Sequence, residues 1–333
     1  MKKIFTLLMA AGIASVMNAA VFTVSNNTAN PGQYNNFAAA HTAAANGDSI
    51  YVHGSNINYG TFNITKRITV IGTGHNPQKQ APLKSFVDYI NMGAGSSRSN
   101  IIGLEVYQLI TANDGIDSLL IQNCKFTNRI YILHSYSDVW TIDGNVFAST
   151  GENLKGGCNM GGHQVRNNIF NGQIVDFGNC AQGYSYCDHN VFLRNTDMMY
   201  NVFNWYFTNN IFYRGNPHGY AEANNTWNYN ISYQCANNNF PNGVGNQVNV
   251  NPGFVNFPVA GDYFSYAYDF HITDGQPADN AGNDATDLGV YGGTGDYNQN
   301  GIPRIPYMYE FNITNPVVSS GGNLNVNFKS RIR

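Results

Sequence analysis

The sequence predicts an all-β solenoid, a stack of parallel coils closed by a short helix at the N-terminal end and a β add-on at the C-terminal end. Three observations predict it. The phrase Asn-aliphatic-Phe recurs at Asn145-Val146-Phe147, Asn168-Ile169-Phe170, Asn190-Val191-Phe192 and Asn210-Ile211-Phe212, with weaker copies at Cys124-Lys125-Phe126 and Asn230-Ile231-Ser232. Successive copies end 21, 23, 22, 20 and 20 residues apart, and a near-constant period of this length marks one unit stacked on itself. Five residues before each end stands a second apolar column, Ile121, Ile142, Val165, Cys187, Phe207 and Trp227. Finally, 11% of the 333 residues are charged, against 35 Gly, 22 Tyr and 20 Phe. Ordinary soluble domains carry about 25% charge; here amides replace it, which suits stacked β-turns better than helical bundles.

From the N-terminus, Met1-Lys2-Lys3 followed by the apolar run Ile4 to Met17 and the small residues Asn18-Ala19-Ala20 reads as a secretory signal peptide over residues 1–20. This predicts export to the periplasm, cell surface or exterior. The run is shorter than the roughly twenty apolar residues of a membrane span, so no transmembrane anchor is expected. Loss of Lys2 and Lys3 leaves 15 basic against 20 acidic side chains, a balance that does not attract nucleic acid.

Phe37 to Ala45 is an alanine-rich amphipathic stretch, followed by the strand pattern Ser49-Ile50-Tyr51-Val52 and, after Tyr59-Gly60, by Ile64 to Gly72. In the repeat region the Phe column and the earlier apolar column should face inward, with Asn145, Asn168, Asn190 and Asn210 between them. Strands of successive coils lie about 4.8 Å apart, so each amide can pair with the next. Cys124 and Cys187 sit in these columns and read as buried thiols, whereas Cys158 and Cys180 fall in less regular segments where a bridge is open.

These residues resemble the right-handed parallel β-helix of the pectate-lyase-like family, whose coils commonly read apolar-x-x-Asn-x-apolar. The resemblance makes Phe37 to Ala45 the helix that plugs the open bore and extends the β-helix over residues 21–295. It likewise makes Pro277 to Gly282 and Thr286 to Gly292 a closing coil. Residues 296–333 depart from the repeat: Tyr309 to Ile313 and Leu324 to Phe328 alternate around Ser319-Ser320-Gly321-Gly322, a hairpin pattern expected to cover the last coil's edge or to serve as a recognition tail for export or assembly.

One residue after the inward column runs Gln122, Asp143, Arg166, Asp188, Thr208 and Asn228, which should face outward. Asp-Arg-Asp on consecutive rungs is first of all a cross-strand ion-pair ladder. In lyases of the family resembled, outward acids bind calcium against a uronic-acid carboxylate and an Arg or Lys abstracts the neighbouring proton. Asp143, Arg166, Asp188 and His189 are the candidates for such catalysis. Tyr186 and Tyr206 share an outward column on adjacent coils, with Tyr229 and His189 in another; aromatic faces on a long flat surface suit stacking on sugars. Glu152 and Lys155 lie in the longest insertion, Ser149 to Gly162, with Asp176 in the next loop, and form a second candidate binding group. Asp296, Asn298 and Asn300, before Gly301, match the front half of a calcium loop, although its twelfth position is Tyr307 rather than Glu. Val146, Ile169, Val191, Ile211 and Ile231 form an outward aliphatic stripe that a loop or partner would cover, or that stands exposed.

No nucleophile elbow, P-loop, dinucleotide fingerprint or zincin motif occurs. The expected function is binding of an extended polysaccharide or another surface component without turnover. The alternatives are a calcium-assisted polysaccharide lyase or a glycosidase, and a structural or assembly component acting through the aliphatic stripe and tail.

Overall fold

The computed structural model describes residues 19–79, 82–157, 159–178, 183–194, 196–258, 263–295, 297–304, 306–314, 317–318 and 320–332. The signal peptide expected over residues 1–20 therefore lies almost wholly outside the described residues, as do Cys158, Cys180 and Asp296.

The chain is a parallel β-solenoid of about eight turns, with one helix among the described residues. Ten strands, from Val21–Val24 to Thr226–Asn228, form a first parallel sheet in which each pairs with its counterpart one coil away. A second sheet opens with Thr61–Ile64 and runs through Phe86–Met92 and Glu105–Thr111 to Lys125–Tyr131, where it forks. The start of Lys125–Tyr131 pairs with Val146–Phe147 and its end with Glu152–Lys155. From there each coil has three strands.

The inward columns form the bore. Ile121, Ile142, Val165, Cys187, Phe207 and Trp227 are fully buried, and Phe126, Phe147, Phe170, Phe192 and Phe212 stack at centroid distances of 5.2, 4.6, 5.1 and 4.7 Å. Such offset stacks add to the area term of burial. At the N-terminal end Phe37 of the helix Phe37–Ala43 stacks on Phe62 at 3.8 Å, and Asn36 caps the helix by accepting from the Ala39 N–H. Cys124, Cys187 and Cys235 are buried free thiols.

The corner between the two sheets is built from left-handed residues. Asn123, Gly144, Asn167, His189, Asn209 and Tyr229 have φ of 51°, 66°, 53°, 52°, 56° and 54°, a conformation open to Gly and Asn at little cost. Immediately after them come the stacked amides. Asn168 donates its backbone N–H to Asn190 Oδ1 (2.9 Å) and its Nδ2 to the Ile142 carbonyl (2.9 Å), and Asn145, Asn190 and Asn210 repeat the pattern. The ladder thus satisfies backbone groups where the chain bends away from both sheets.

The same need for left-handed residues arises at the other end of the first sheet, at Ser118, Val139 and Gly162 (φ 56°, 59° and 69°). Val139 is 54% exposed, so little packing offsets the strain of a β-branched residue there. Val139→Gly is expected to raise stability by about 1 kcal/mol; urea unfolding of the two proteins checks this, and a loss of stability would show that the valine is not strained.

The C-terminal third differs from expectation. After Ile231–Tyr233 a loop closes the last coil. Asn242 and Asn246 accept the backbone N–H groups of Trp227 and Asn230 (3.2 and 2.9 Å), and Phe240 packs against Phe212 and Trp227. The chain then turns back along the outside of the solenoid. The segments expected as a closing coil, Pro277 to Gly282 and Thr286 to Gly292, belong instead to this strap: Phe270, Ile272, Ala278, Leu288, Val290 and Tyr297 cover Val146, Ile169, Val191, Ile211 and Ile231 in a second apolar core. Short apolar runs fit a coil or a strap equally well; the uncovered β-branched stripe decides between them. The strap ends on the early coils, where Asn300 accepts from Asn76 Nδ2 (2.9 Å) and the Tyr266 hydroxyl meets His75 Nδ1 (2.7 Å). The tail pairs as an antiparallel hairpin, Pro306–Ile313 with Val326–Ile332. The edge of the last coil is covered by the Asn242–Asn246 loop.

Candidate functional site

Adjacent strands Gln164–Arg166, Ser185–Asp188 and Trp205–Thr208 align Gln164, Tyr186 and Tyr206 in one outward column and Arg166, Asp188 and Thr208 in the next. The strap runs beside them. Asn283 and Asp284 form a wall, and the enclosed groove of about 400 Å³ is lined by Arg166, Tyr186, Asp188, Thr208, Asn209 and these two strap residues, with Gln164 and Val165.

The floor is held by short polar contacts. Asp188 Oδ1 accepts from Thr208 Oγ1 (2.6 Å) and Asn209 Nδ2 (3.0 Å), and Oδ2 faces His189 Nδ1 (2.9 Å). Burial alone would raise the Asp188 pKa, but the contacts from His189, Thr208 and Asn209 outweigh it and hold the carboxyl below its usual value. His189 is buried at a left-handed corner position. Its Nε2 lies 3.2 Å from Thr286 Oγ1 and 3.6 Å from Asp284 Oδ2, and Gly293 leaves room for the ring: a Cβ there would stand 2.8 Å from Nδ1. Asn209 exchanges two further hydrogen bonds with Asn283, of 2.8 and 3.0 Å. His189 and Asn209 therefore fasten the strap to the sheet and fix the groove's width.

The structure brings Asp143, Arg166, Asp188 and His189 onto neighbouring rungs but gives them unequal access. The Asp143 side chain is 1% exposed and meets Arg166 Nη2 (3.2 Å) and Gln122 Nε2 (3.3 Å), so it works through Arg166 rather than on a solute. Arg166 is 32% exposed, and its buried Nε has no hydrogen-bond partner among the described residues. A guanidinium beside a buried carboxylate stays a cation, which suits it to donating hydrogen bonds and not to abstracting a proton. Likewise a carboxylate held below its usual pKa is an acceptor, not an acid.

Tyr186 and Tyr206 stack at 5.4 Å and 23°, and Tyr184, absent from the expected site, joins Tyr206 at 4.8 Å. Tyr184 and Tyr186 are about half exposed, so together the three rings form a platform at the groove's edge. Tyr229 lies apart, at the corner beneath Gly245.

Glu152 and Lys155 form a separate group on the second sheet. Glu152 is paired with Arg129 and with Lys155 (2.8 Å), and Lys155 also reaches Asp176 (3.2 Å). Tyr131, Lys155 and Asp176 line a groove of about 470 Å³ there, but its charges are spent on one another. Of the expected calcium loop, Asn298 Oδ1 accepts the Asn300 N–H (3.0 Å) and Asn300 Oδ1 accepts from Asn76; both oxygens serve the strap's turn and latch. Among the described residues no three His, Cys, Asp or Glu side chains are placed to hold a metal ion, and no helix is long and apolar enough to cross a membrane.

Sequence reasoning missed the strap wall of Asn283, Asp284 and Thr286. Asn283 and Asp284 stand in a Gly- and Asn-rich turn with no periodicity, and only the uncovered aliphatic stripe signals that a distant segment lies there. No protein-family model matches the chain, and no curated protein is similar to it, so the groove's geometry carries the functional reading.

Proposed function

We propose that the protein is an exported β-solenoid of the cell surface or periplasm that binds an extended, uncharged polysaccharide in this groove without turning it over. The observation that carries the reading is the tyrosine platform beside a rigid polar floor and wall. Sugar rings present apolar faces that stack on aromatic rings and hydroxyls that pair with fixed carboxylate, amide and guanidinium groups. Charge selects the class of glycan. Asp143 offsets Arg166, leaving Asp188 and Asp284 to repel a polyuronate chain.

The non-catalytic choice rests on the pinned Arg166 and on Asp188, whose oxygens are already engaged. The pectate-lyase-like resemblance supports a lyase only through residue types, and the stripe that would have supported an assembly role is covered by the protein's own strap.

Calorimetric titration with a β-glucan hexamer and a galacturonate hexamer tests the reading. The glucan is expected to bind at least tenfold more tightly, and Tyr186→Ala to weaken it about tenfold, the worth of one stacked ring. Binding unaffected by Tyr186→Ala would move the site elsewhere. Unsaturated uronide absorbance from the galacturonate, with calcium added, would replace the binding reading with a lyase.

A further inference from the structure

At one edge of the second sheet stands Tyr220–Ala223, which pairs on one side with Met199–Phe203 and, among the described residues, has no strand on the other. Its register continues the inward column Phe177, Val202, Glu222, so a glutamate stands where the earlier coils place fully buried apolar groups. Around it opens a pocket of about 400 Å³ lined by His218, Gly219, Glu222, Asn225, Trp227 and Asn242, with exposed Ala221, Ala223 and Asn224 at its mouth.

This is more than the end of a bore. Among the described residues Glu222 has no cationic partner: its Oε1 accepts the Gly219 N–H (2.6 Å), and no Lys or Arg lines the pocket. The charge that acts on it is Asp197, another carboxylate. Trp227 is fully buried, and its indole N–H has no hydrogen-bond partner among the described residues. Phe207 stacks on this indole from the coil below at 4.0 Å, and Phe240 of the closing loop meets it at an angle. An uncompensated, half-buried carboxylate lining a pocket is the chemistry that recognises an ammonium group, and the packed Trp227 ring supplies the rigid apolar floor beneath it.

We propose that this pocket, on a different face from the tyrosine groove, is a second binding site that takes a small primary amine, with its ammonium at Glu222. The site is independent of the polysaccharide reading. Burial first, with Asp197 adding to it, raises the Glu222 pKa to about 7 against the opposing hydrogen bonds from Gly219 and Asn225. The facing titratable groups are thus Asp197 and His218, whose ring Nε2 is engaged by the Asn237 amide (2.9 Å). An ammonium ligand binds the ionised carboxylate, so binding displaces the proton Glu222 otherwise holds near neutrality.

Calorimetry of the full chain with ethanolamine, and with ethylene glycol as the uncharged control, tests this. Ethanolamine is expected to bind and glycol not. Affinity should rise about tenfold per pH unit up to about 7 and then level off, with a proton released that shows as a dependence of the heat on buffer below pH 7. Glu222→Gln, nearly isosteric, should abolish the pH dependence and weaken binding at least tenfold. Equal binding of glycol, a flat pH profile in the wild type, binding unchanged in Glu222→Gln, or no binding would each overturn the proposal.

Discussion

Acidification below pH 6.5 is expected to unfold the protein with a steepness that two buried histidines set. His75 and His163 are fully enclosed, and the pKa of each is lowered to about 3, by burial at His163 and by burial first with the nearby Lys125, Lys79 and Lys84 adding to it at His75. Each has an Nε2 without a partner among the described residues, while Nδ1 meets the Tyr266 hydroxyl at His75 and accepts the Trp140 N–H at His163. With the folded values below the unfolded 6.5, the unfolded chain takes up protons that the folded chain refuses. Their stabilising contribution is therefore complete above pH 6.5 and is lost as pH falls from there toward 3. Glu222 acts the other way: its folded pKa of about 7 exceeds the ordinary 4.5, so it gains stability on acidification between 7 and 4.5. The net loss from these three groups is about 1 kcal/mol per pH unit between 6.5 and 4.5, and about 3 from the two histidines below 4.5, where Asp188 and Asp269, both held below their usual values, add to it.

Urea unfolding at pH 7, 6, 5 and 4 reads these slopes directly. A flat profile would mean that one or both histidines are protonated in the fold. His75 also ties this chemistry to the groove. It holds Tyr266 of the strap, and protonation would place a cation among three lysines at that latch, so glucan affinity should fall together with stability.

The repeat made most of the scaffold legible. Phe147, Phe170, Phe192 and Phe212 had to fill the same volume on successive coils, and Asn145 to Asn210 had to meet the same backbone need. Identity at a fixed period is the visible trace of such identical environments. The same ruler aligned Asp143, Arg166 and Asp188 on neighbouring strands. It did not tell which of them solvent reaches, because burial of Asp143 depends on how Arg166 and Gln122 lie across it.

The strap was illegible for a different reason. Phe270, Leu288 and Val290 share one apolar core with Val146, Ile169, Val191, Ile211 and Ile231, far earlier in the chain, in contacts that occur once and leave no period. The residues that could have betrayed it were on the other partner: five β-branched side chains in one outward column imply a cover. Pairing that cover with the apolar runs after Phe254 would have placed Asn283 and Asp284 beside Asp188. The groove has a solenoid floor and a strap wall, and only the floor has a repeated signature.

Asn190→Ala is expected to cost about 3–5 kcal/mol, a large share of a typical domain's stability. In the ladder Asn190 Oδ1 accepts from the Asn168 backbone N–H and Nδ2 (2.9 and 3.0 Å), and its own Nδ2 donates to the Val165 carbonyl (2.9 Å). Alanine keeps the helpful backbone bond to Asn210 Oδ1 but leaves the Asn168 N–H and the Val165 carbonyl buried without these partners, each at about 1–3 kcal/mol, along with a small cavity. Asn91→Ala is the control, since its amide pairs with Asn63 at an exposed site (2.8 Å) and should cost about 0.5 kcal/mol or less. Because Asn190 follows Asp188 and His189 directly, its loss should also loosen the strap and weaken glucan binding. If Asn190→Ala cost no more than the control, the amides would be passengers, and the stacked phenylalanines alone would hold the coils in register.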